Sequence, residues 1–428
     1  MPAAITDPIT LPCGQTIPNR IMKSAMTEGL ADPDDHATRR HQTLYRRWSN
    51  GGAGLLISGN VMIDRRYLEK AGNVVIEDES GLQPLSDWAQ AGQEGGNQLW
   101  MQISHPGRQC AKLNNKQPVS ASDVQLHLAG GFGRPRALEE SEIEEVIQRY
   151  ATTARIARKA GFSGVQLHAA HGYLISQFLS PVTNRRTDQW GGSLENRARL
   201  LLGAIKTTRE AVGSDFAVSI KLNSADFQKG GFTLDECVQV VSWLNDTGLD
   251  LLEISGGSYE APQLMGFEGD AAKTELPPRQ STLDREAYFL DYTQAIRKVA
   301  TMPVAVTGGF RSLKVMQQAL ADDELDMIGM SRPFAADPDL ARGLLDGSLT
   351  QVPSIELTKR LGPGPLDLNS NIGIVKMITM QGQVGWFAEQ MNCVADNRPP
   401  NPGIGVLGAM IKMVRTEMKT AKARNFQA

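Results

Sequence analysis

The sequence predicts an α/β protein, a (β/α)8 barrel with an N-terminal hairpin before it and a helical extension after it. Three observations carry that prediction. Eight short apolar runs recur along the chain with helical patterns between them, the alternation expected of a parallel sheet. Polar and titratable residues collect just after those runs, where barrel loops can vary without disturbing the packed interior. No Gly-x-Gly-x-x-Gly follows a strand, so the dinucleotide turn of a doubly wound sheet is not indicated.

The runs lie near Arg20–Met26, Gly54–Asn60, Gln98–Ser104, Gly164–His168, Ala217–Leu222, Leu251–Ser255, Val304–Thr307 and Met327–Met330. Ahead of them, ITLPCGQTIPNRIM (residues 9–22) reads as a hairpin with a Cys-Gly turn, placed to plug the barrel bottom. Between them, Ser141-x-x-Glu144 is read as a capping box ahead of Ile143, Val146, Ile147, Tyr150, Ala154 and Ala157, one apolar helix face ended by Gly161. Thr233-x-x-Glu236 is a second box, before Cys237, Val240, Val241 and Leu244, with Gly248 closing the helix. These positions, Cys237 included, are core. The longest strand-to-helix loops, about 105–140 and 256–283, would lie over the mouth, and loops of that length usually serve function.

The whole chain, 428 residues, 41% hydrophobic and of net charge −3, suffices for one large domain or two ordinary ones, and it excludes disordered and fibrous classes. No apolar run approaches the ~20 residues of a membrane span. The N-terminus MPAAITDPIT lacks the basic-then-apolar build of a signal peptide, so a cytoplasmic protein is expected. Near-neutral charge without basic blocks gives no electrostatic case for nucleic acid. Cys13, Cys110, Cys237 and Cys393 are too scattered for a metal knuckle or a disulfide framework and are expected as free thiols.

The richest chemistry lies in GFSGVQLHAAHGYLISQFLSPVTNRRTDQWGGSLENRARL, residues 161–200. Val165, Gln166 and Leu167 form a strand, and His168, His171 and Tyr173 follow within six residues. A polar loop then leads to Ser193, an N-cap with Glu195 in the first turn. Single histidines after strands are usually satisfied polar residues, but two with a tyrosine point to hydrogen-bond donors aimed at a ligand. A metal site is the other option. Neither His-Glu-x-x-His nor a zinc-spaced Cys/His set is present.

The His-x-x-His-Gly-Tyr motif and the tail SQFLSP-TNRRTDQWGGSLENRARL resemble the Old Yellow Enzyme family of FMN-dependent NADH:flavin oxidoreductases, and the resemblance extends over roughly residues 8–350. It implies FMN in the barrel mouth, NAD(P)H as reductant, and an α,β-unsaturated carbonyl compound as acceptor. His168 and His171 would hydrogen-bond the carbonyl oxygen, hydride would reach the β-carbon from flavin N5, and Tyr173 would protonate the α-carbon. A phenol suits that task because it stays protonated at neutral pH.

Reduction places negative charge over flavin N1 and O2, so donors are needed at those edges. Lys221, where the family usually has Arg, would meet N1/O2; the departure changes donor geometry and keeps the charge. Gln102 matches the family glutamine that pairs with the pyrimidine edge. Ala25, Met26 and Thr27 resemble the segment lying along the flavin, with Thr27 where some relatives carry Cys. Asn60 is either a polar neighbour of O4 or a strand-end turn residue. Phosphate would be held by Gly308 and Gly309, whose backbone can approach an anion, and by Ser331 and Arg332, where the family shows Gly-Arg. His105-Pro106-Gly107-Arg108 resembles the family's His-Ala-Gly-Arg element and would position its loop. Phe132, Trp190 and Tyr259 are lining or packing aromatics.

Beyond about residue 350 the pattern stops, dividing the chain into a barrel (1–350) and a helical extension (351–428). LGPGPLDLNSN (361–371) reads as a linker, NIGIVKMITMQGQVGWFAEQM as packed helix, and 405–424 as an amphipathic basic helix that could cover the barrel, pack at a subunit interface or touch a membrane surface. Interface packing is favoured, which makes a homo-oligomer possible, and few Trp or Phe make a poor membrane anchor. Two other functions fit the residues: an NAD(P)H oxidase or quinone or flavin reductase, which would not need Tyr173, and a barrel hydrolase holding a metal on His168 and His171. The iron–sulfur branch of the family would need clustered cysteines after the barrel, which this chain lacks.

Overall fold

The computed structural model describes residues 2–127, 131–256, 290–367, 370 and 372–425. Eight parallel strands close into a barrel: β1 (Ile21–Lys23), β2 (Leu55–Ile57), β3 (Gln98–Ser104), β4 (Gly164–Ala169), β5 (Ala217–Asn223), β6 (Leu251–Ser255), β7 (Val304–Thr307) and β8 (Met327–Met330). Each pairs with the next, and β8 returns to β1 through Ile328 opposite Ile21. The helices following the strands in turn are α1 (Arg39–Ser49), α2 (Leu82–Ala91), α3 (Glu140–Lys159), α4 (Leu194–Val212), α5 (Leu234–Leu244), α6 (Leu290–Arg297), α7 (Leu313–Ala321) and α8 (Leu340–Leu345).

Alternation along the strands separates two apolar layers. Met22, Leu55, Ile57, Trp100, Ala217, Leu251, Ala305 and Met327 fill the lower barrel interior together with Ile9, Leu11 and Ile17. Those last three come from the hairpin pairing Ile9–Thr10 with Thr16–Ile17, so it does plug the bottom. The opposite strand faces, among them Leu56, Met101, Val165, Ile220, Leu252 and Ile328, join the larger core under the helices. A lysine interrupts that outer layer. Lys23, fully buried, donates to the Ile57 carbonyl at 2.8 Å and lies 4.2 Å from the Trp48 ring.

Three expectations shift. The first two strands are shorter than their apolar runs, three residues each, because the chain leaves the sheet at Ser24 and Ser58 to build the mouth. The α3 box sits earlier: Glu139 is the N-cap, and its N–H donates to Glu142 at 2.9 Å. A carboxylate serves at an N-cap as a hydroxyl does, so Ser141 lies inside the helix. Part of the 105–140 loop is structured, with Val119–Ser120 pairing alongside Arg136–Ala137. The Thr233 and Ser193 caps stand as read. All four cysteines are free, and Cys237 is buried core. The 256–283 loop, with Tyr259, lies outside the described residues beyond Gly256.

After the barrel come α9 (Gly373–Ala395) and α10 (Val406–Asn425). They cross closely: a Cβ on Gly385 would stand 2.7 Å from the Ala409 carbonyl oxygen. Arg40 of α1 reaches Asp396 at 2.7 Å, and Arg424 of α10 grips buried Asp35, in the loop after β1, at 2.7 and 3.1 Å. The pair is thereby fastened to one side of the barrel mouth.

Candidate active site

The C-terminal ends of the strands carry a polar layer above the apolar plug. Gln102, Gln166, Lys221, Glu253 and Thr307, all buried, come from β3 to β7. Gln102 donates Nε2 to Gln166 Oε1 at 2.7 Å, and Gln166 donates Nε2 to Glu253 Oε2 at 2.8 Å. Glu253 Oε1 takes Lys221 Nζ at 2.9 Å and the Thr307 hydroxyl at 2.5 Å. Thr307 also lies 2.7 Å from Ser24 Oγ on the far side of the barrel closure. Burying an ion is costly unless it is paired and hydrogen-bonded, and here the two ions face each other, with three hydrogen bonds on the carboxylate.

Beside it the predicted histidines do come together. His168 Nε2 and His171 Nδ1 lie 3.1 Å apart, and the Tyr173 ring centroid is 4.6 Å from that of His168. His168 Nδ1 meets Asn60 Oδ1 at 2.9 Å, and His171 Nε2 meets Ser255 Oγ at 2.8 Å. The Asn60 amide is turned by Glu69, whose Oε2 accepts its Nδ2 at 2.7 Å and the Thr27 hydroxyl at 2.9 Å. With the Asn60 oxygen facing it, His168 Nδ1 carries the proton, and in the neutral ring Nε2 is then an acceptor. The single N–H between the rings, on His171 Nδ1, is therefore donated to His168 Nε2, so in this arrangement His168 is no second donor, against the expectation that both rings donate, and an incoming acceptor has to compete for that N–H.

Burial, with His171 and Lys221 adding to it, holds His168 well below its ordinary pKa, and the buried surroundings of the ring together with Lys221 push His171 down to about 3. His171 is held at φ +62°, uncommon for a residue with a Cβ, by its N–H bond to Asn223 at 3.1 Å. Asn60 therefore has a defined place as partner of His168, beyond that of a turn residue.

The remaining predicted positions form a partly exposed rim. Ala25, Met26 and Thr27 sit between buried Ser24 and Glu28. Glu28 accepts the Tyr45 hydroxyl and the Gly59 N–H, the latter at 2.9 Å, which ties the β1 and β2 loops together. Gly308 and Gly309 follow β7 at φ +123° and +82°, conformations open to glycine. Ser331 and Arg332 follow β8, where Gly329 keeps the wall low: a Cβ there would fall 2.0 Å from Thr307 Oγ1. Arg311, absent from the sequence reading, stands beside this rim and pairs with Glu356 at 2.5 Å. Burial alone would raise the Glu356 carboxyl, but Arg311 and Arg332 together hold it below its ordinary range. His105 is buried and accepts the Gly107 N–H at 3.0 Å, while Trp190 is core and Phe132 bridges to Ala111 within its own loop.

Glycines of positive φ in the β7 loop and Arg332 after β8, with an amide and a cation on the floor, match the needs of a phosphate and of a polar heteroaromatic edge. The donor set fits flavin mononucleotide. Among the described residues no group of three or more His, Cys, Asp or Glu could hold a metal ion, and no helix is long and apolar enough to cross a membrane.

A closed parallel barrel with this mouth defines a flavin-dependent barrel oxidoreductase. The family model for NADH:flavin oxidoreductase / NADH oxidase matches residues 5–350. The NADH-dependent flavin oxidoreductase iliE of Hypocrea jecorina is 36% identical over 362 residues, 79% of this chain and 88% of that protein. The nadA protein of Aspergillus parasiticus is 37% identical over 358 residues, 79% and 78% of the two chains. Among solved structures, the Old Yellow Enzyme homologue of Zymomonas mobilis is 28% identical, with a TM-score of 0.68 over 82% of this chain and 94% of that one. Morphinone reductase in complex with tetrahydroNAD is 26% identical, with a TM-score of 0.66 over 82% and 93%. The chain belongs to the NADH:flavin oxidoreductase family, that of Old Yellow Enzyme. It is an FMN-dependent oxidoreductase that uses NADH.

Proposed function

We propose that the enzyme reduces the C=C bond of α,β-unsaturated carbonyl compounds. FMN, when bound, takes up a hydride equivalent from NADH and delivers it to the second substrate. Lys221 and Gln102 would hold its pyrimidine edge, Ala25, Met26 and Thr27 would lie along the ring with Asn60 near O4, and Gly308, Gly309, Ser331 and Arg332 would hold the phosphate. Residues 1–350 would form the catalytic barrel, with 351–428 as its extension.

The observation that carries the reading is the meeting of two ring nitrogens, His168 Nε2 and His171 Nδ1, at 3.1 Å beside Tyr173. A carbonyl oxygen that replaces His168 Nε2 as acceptor of the His171 N–H is polarised, which draws electrons from the β-carbon. Tyr173, buried with its ring against that of His168, then gives its phenolic proton to the α-carbon. Neutral rings suit this role because an imidazolium would have to be buried beside Lys221.

The test is an acceptor panel. Enzyme reduced anaerobically with NADH is mixed with a cyclic enone, a maleimide, a quinone or oxygen, and reoxidation is followed in stopped flow. Rapid reoxidation by the enone, with a saturated product, supports the proposal. Reoxidation by quinone and oxygen alone would replace it with an NADH oxidase or quinone reductase; a Thermoanaerobacter brockii relative, 33% identical over 339 residues, is named NADH oxidase.

A further inference from the structure

Glu253 has no part in the roles assigned above. It is fully buried on β6, in register with Lys221 on β5, and both of its oxygens are occupied. Oε1 accepts Lys221 Nζ at 2.9 Å and Thr307 Oγ1 at 2.5 Å; Oε2 accepts Gln166 Nε2 at 2.8 Å. Its two neighbours on the strand, Leu252 and Ile254, face the outer apolar core. A carboxylate turned inward there needs a reason beyond packing.

We propose that Glu253 is a positioning residue that sets the reduction potential of the flavin, by cancelling the positive charge of Lys221 and by orienting Gln102. The inference rests on the placement of Lys221 at the N1/O2 edge proposed above. Two-electron reduction leaves negative charge at that edge. A lone cation would stabilise it and raise the potential, whereas a Lys–Glu pair presents a dipole of no net charge. Reduced flavin is thereby kept a stronger donor, suited to acceptors such as C=C bonds that take electrons reluctantly. The same carboxylate fixes an amide relay. Gln166 must turn its Nε2 to Glu253, so its oxygen faces Gln102 Nε2 at 2.7 Å, and the Gln102 oxygen is left to accept from a ring N–H.

The test is a charge cycle on the FMN-loaded enzyme, with potentials measured by anaerobic equilibration against indicator dyes and visible spectra recorded alongside. Glu253→Gln should bind reduced FMN more tightly relative to oxidised FMN. Removing one buried charge beside the ring is worth about tenfold or more, an upward shift of about 30 mV for a two-electron couple. Lys221→Met should shift the potential downward, the double variant should return near wild type, and Glu253→Asp should stay near it. An unchanged or lowered potential in Glu253→Gln, with Lys221→Met shifted as expected, overturns the proposal and leaves the site reading standing. No shift in Lys221→Met overturns both, because Lys221 would then not face the ring. If Glu253→Gln cannot hold FMN, the double variant decides: a potential near wild type supports cancellation, and one as low as Lys221→Met alone refutes it.

Discussion

His41→Gln should make the protein slightly less stable at neutral pH and more stable than wild type in acid. His41 sits in the first turn of α1, buried, with its Nδ1 accepting the Thr38 N–H at 3.0 Å and its ring 4.7 Å from Trp88. Burial, with Arg40 adding repulsion, lowers its pKa to about 3. The unfolded chain takes up a proton near pH 6.5, so between about 6.5 and 3 it binds more protons than the folded one. Stability therefore rises with pH across that window, is complete above it, and falls as the solution is acidified. One such group contributes a slope of about 1.4 kcal/mol per pH unit, or about 2.7 kcal/mol between pH 6.5 and 4.5. Glutamine at this position of a capping box can accept the same N–H without titrating, at a cost of about 1 kcal/mol for the lost ring contact. The two stability curves should cross near pH 6, with the variant ahead by about 1–2 kcal/mol at pH 4.5. Urea midpoints from pH 8 to 4.5 would measure this, and parallel curves would refute the assignment of His41 as a buried neutral acceptor.

Three further outcomes are expected. Tyr173→Phe should leave flavin reduction by NADH within roughly tenfold of wild type and slow enone reduction by about 10²–10⁴-fold, the usual loss for a general acid; equal effects on both half-reactions in stopped flow would remove the proton-donor role. Arg332→Ala should weaken FMN retention by roughly ten- to hundredfold, the worth of a charge-assisted hydrogen bond, with little change in turnover at saturating FMN; normal retention in ultrafiltration would move the phosphate elsewhere. Gly329→Ala places a methyl 2.0 Å from Thr307 Oγ1, an overpacking of about 1–3 kcal/mol that should lower Tm, and an unchanged Tm would mean that the polar layer yields freely.

The barrel was legible because each strand is an apolar run facing two cores, and six of the eight runs were placed to within a residue at each end. The His168-x-x-His171-Gly-Tyr173 cluster was legible as a motif. Glu253 and Gln166 were overlooked although a signal existed: Gln166 and His168, Lys221 and Asn223, and Glu253 and Ser255 each stand two apart, the period of one strand face. Glu69 and Glu356 gave no comparable signal, since Glu69 stands in a loop and Glu356 in a short 3-10 turn, where no strand or helix period ties them to Asn60, Thr27 or Arg311. Arg311 carries no signal of its own, since its partner Glu356 lies 45 residues further along the chain. The Glu139 cap was misassigned because Ser-x-x-Glu nearby has the commoner spelling of the same device.

That period of two on β6 links the two halves of the mouth. Glu253 turns inward to the charged side, Ser255 turns inward to the neutral histidines, and Leu252 and Ile254 anchor the strand in the outer core. A slip of one residue would bury Leu252 and Ile254 in the polar layer and thrust a carboxylate under the helices, so the apolar pattern that sets the strand's register also sets the site. The electrostatic division follows from the same register. Burial, with Lys221 adding to it, keeps both histidines neutral, while Glu253 lies on the other side of the lysine and answers its charge. One cation between a carboxylate and an imidazole pair can thus serve two ends, a flavin edge of low net charge and a carbonyl site that does not protonate.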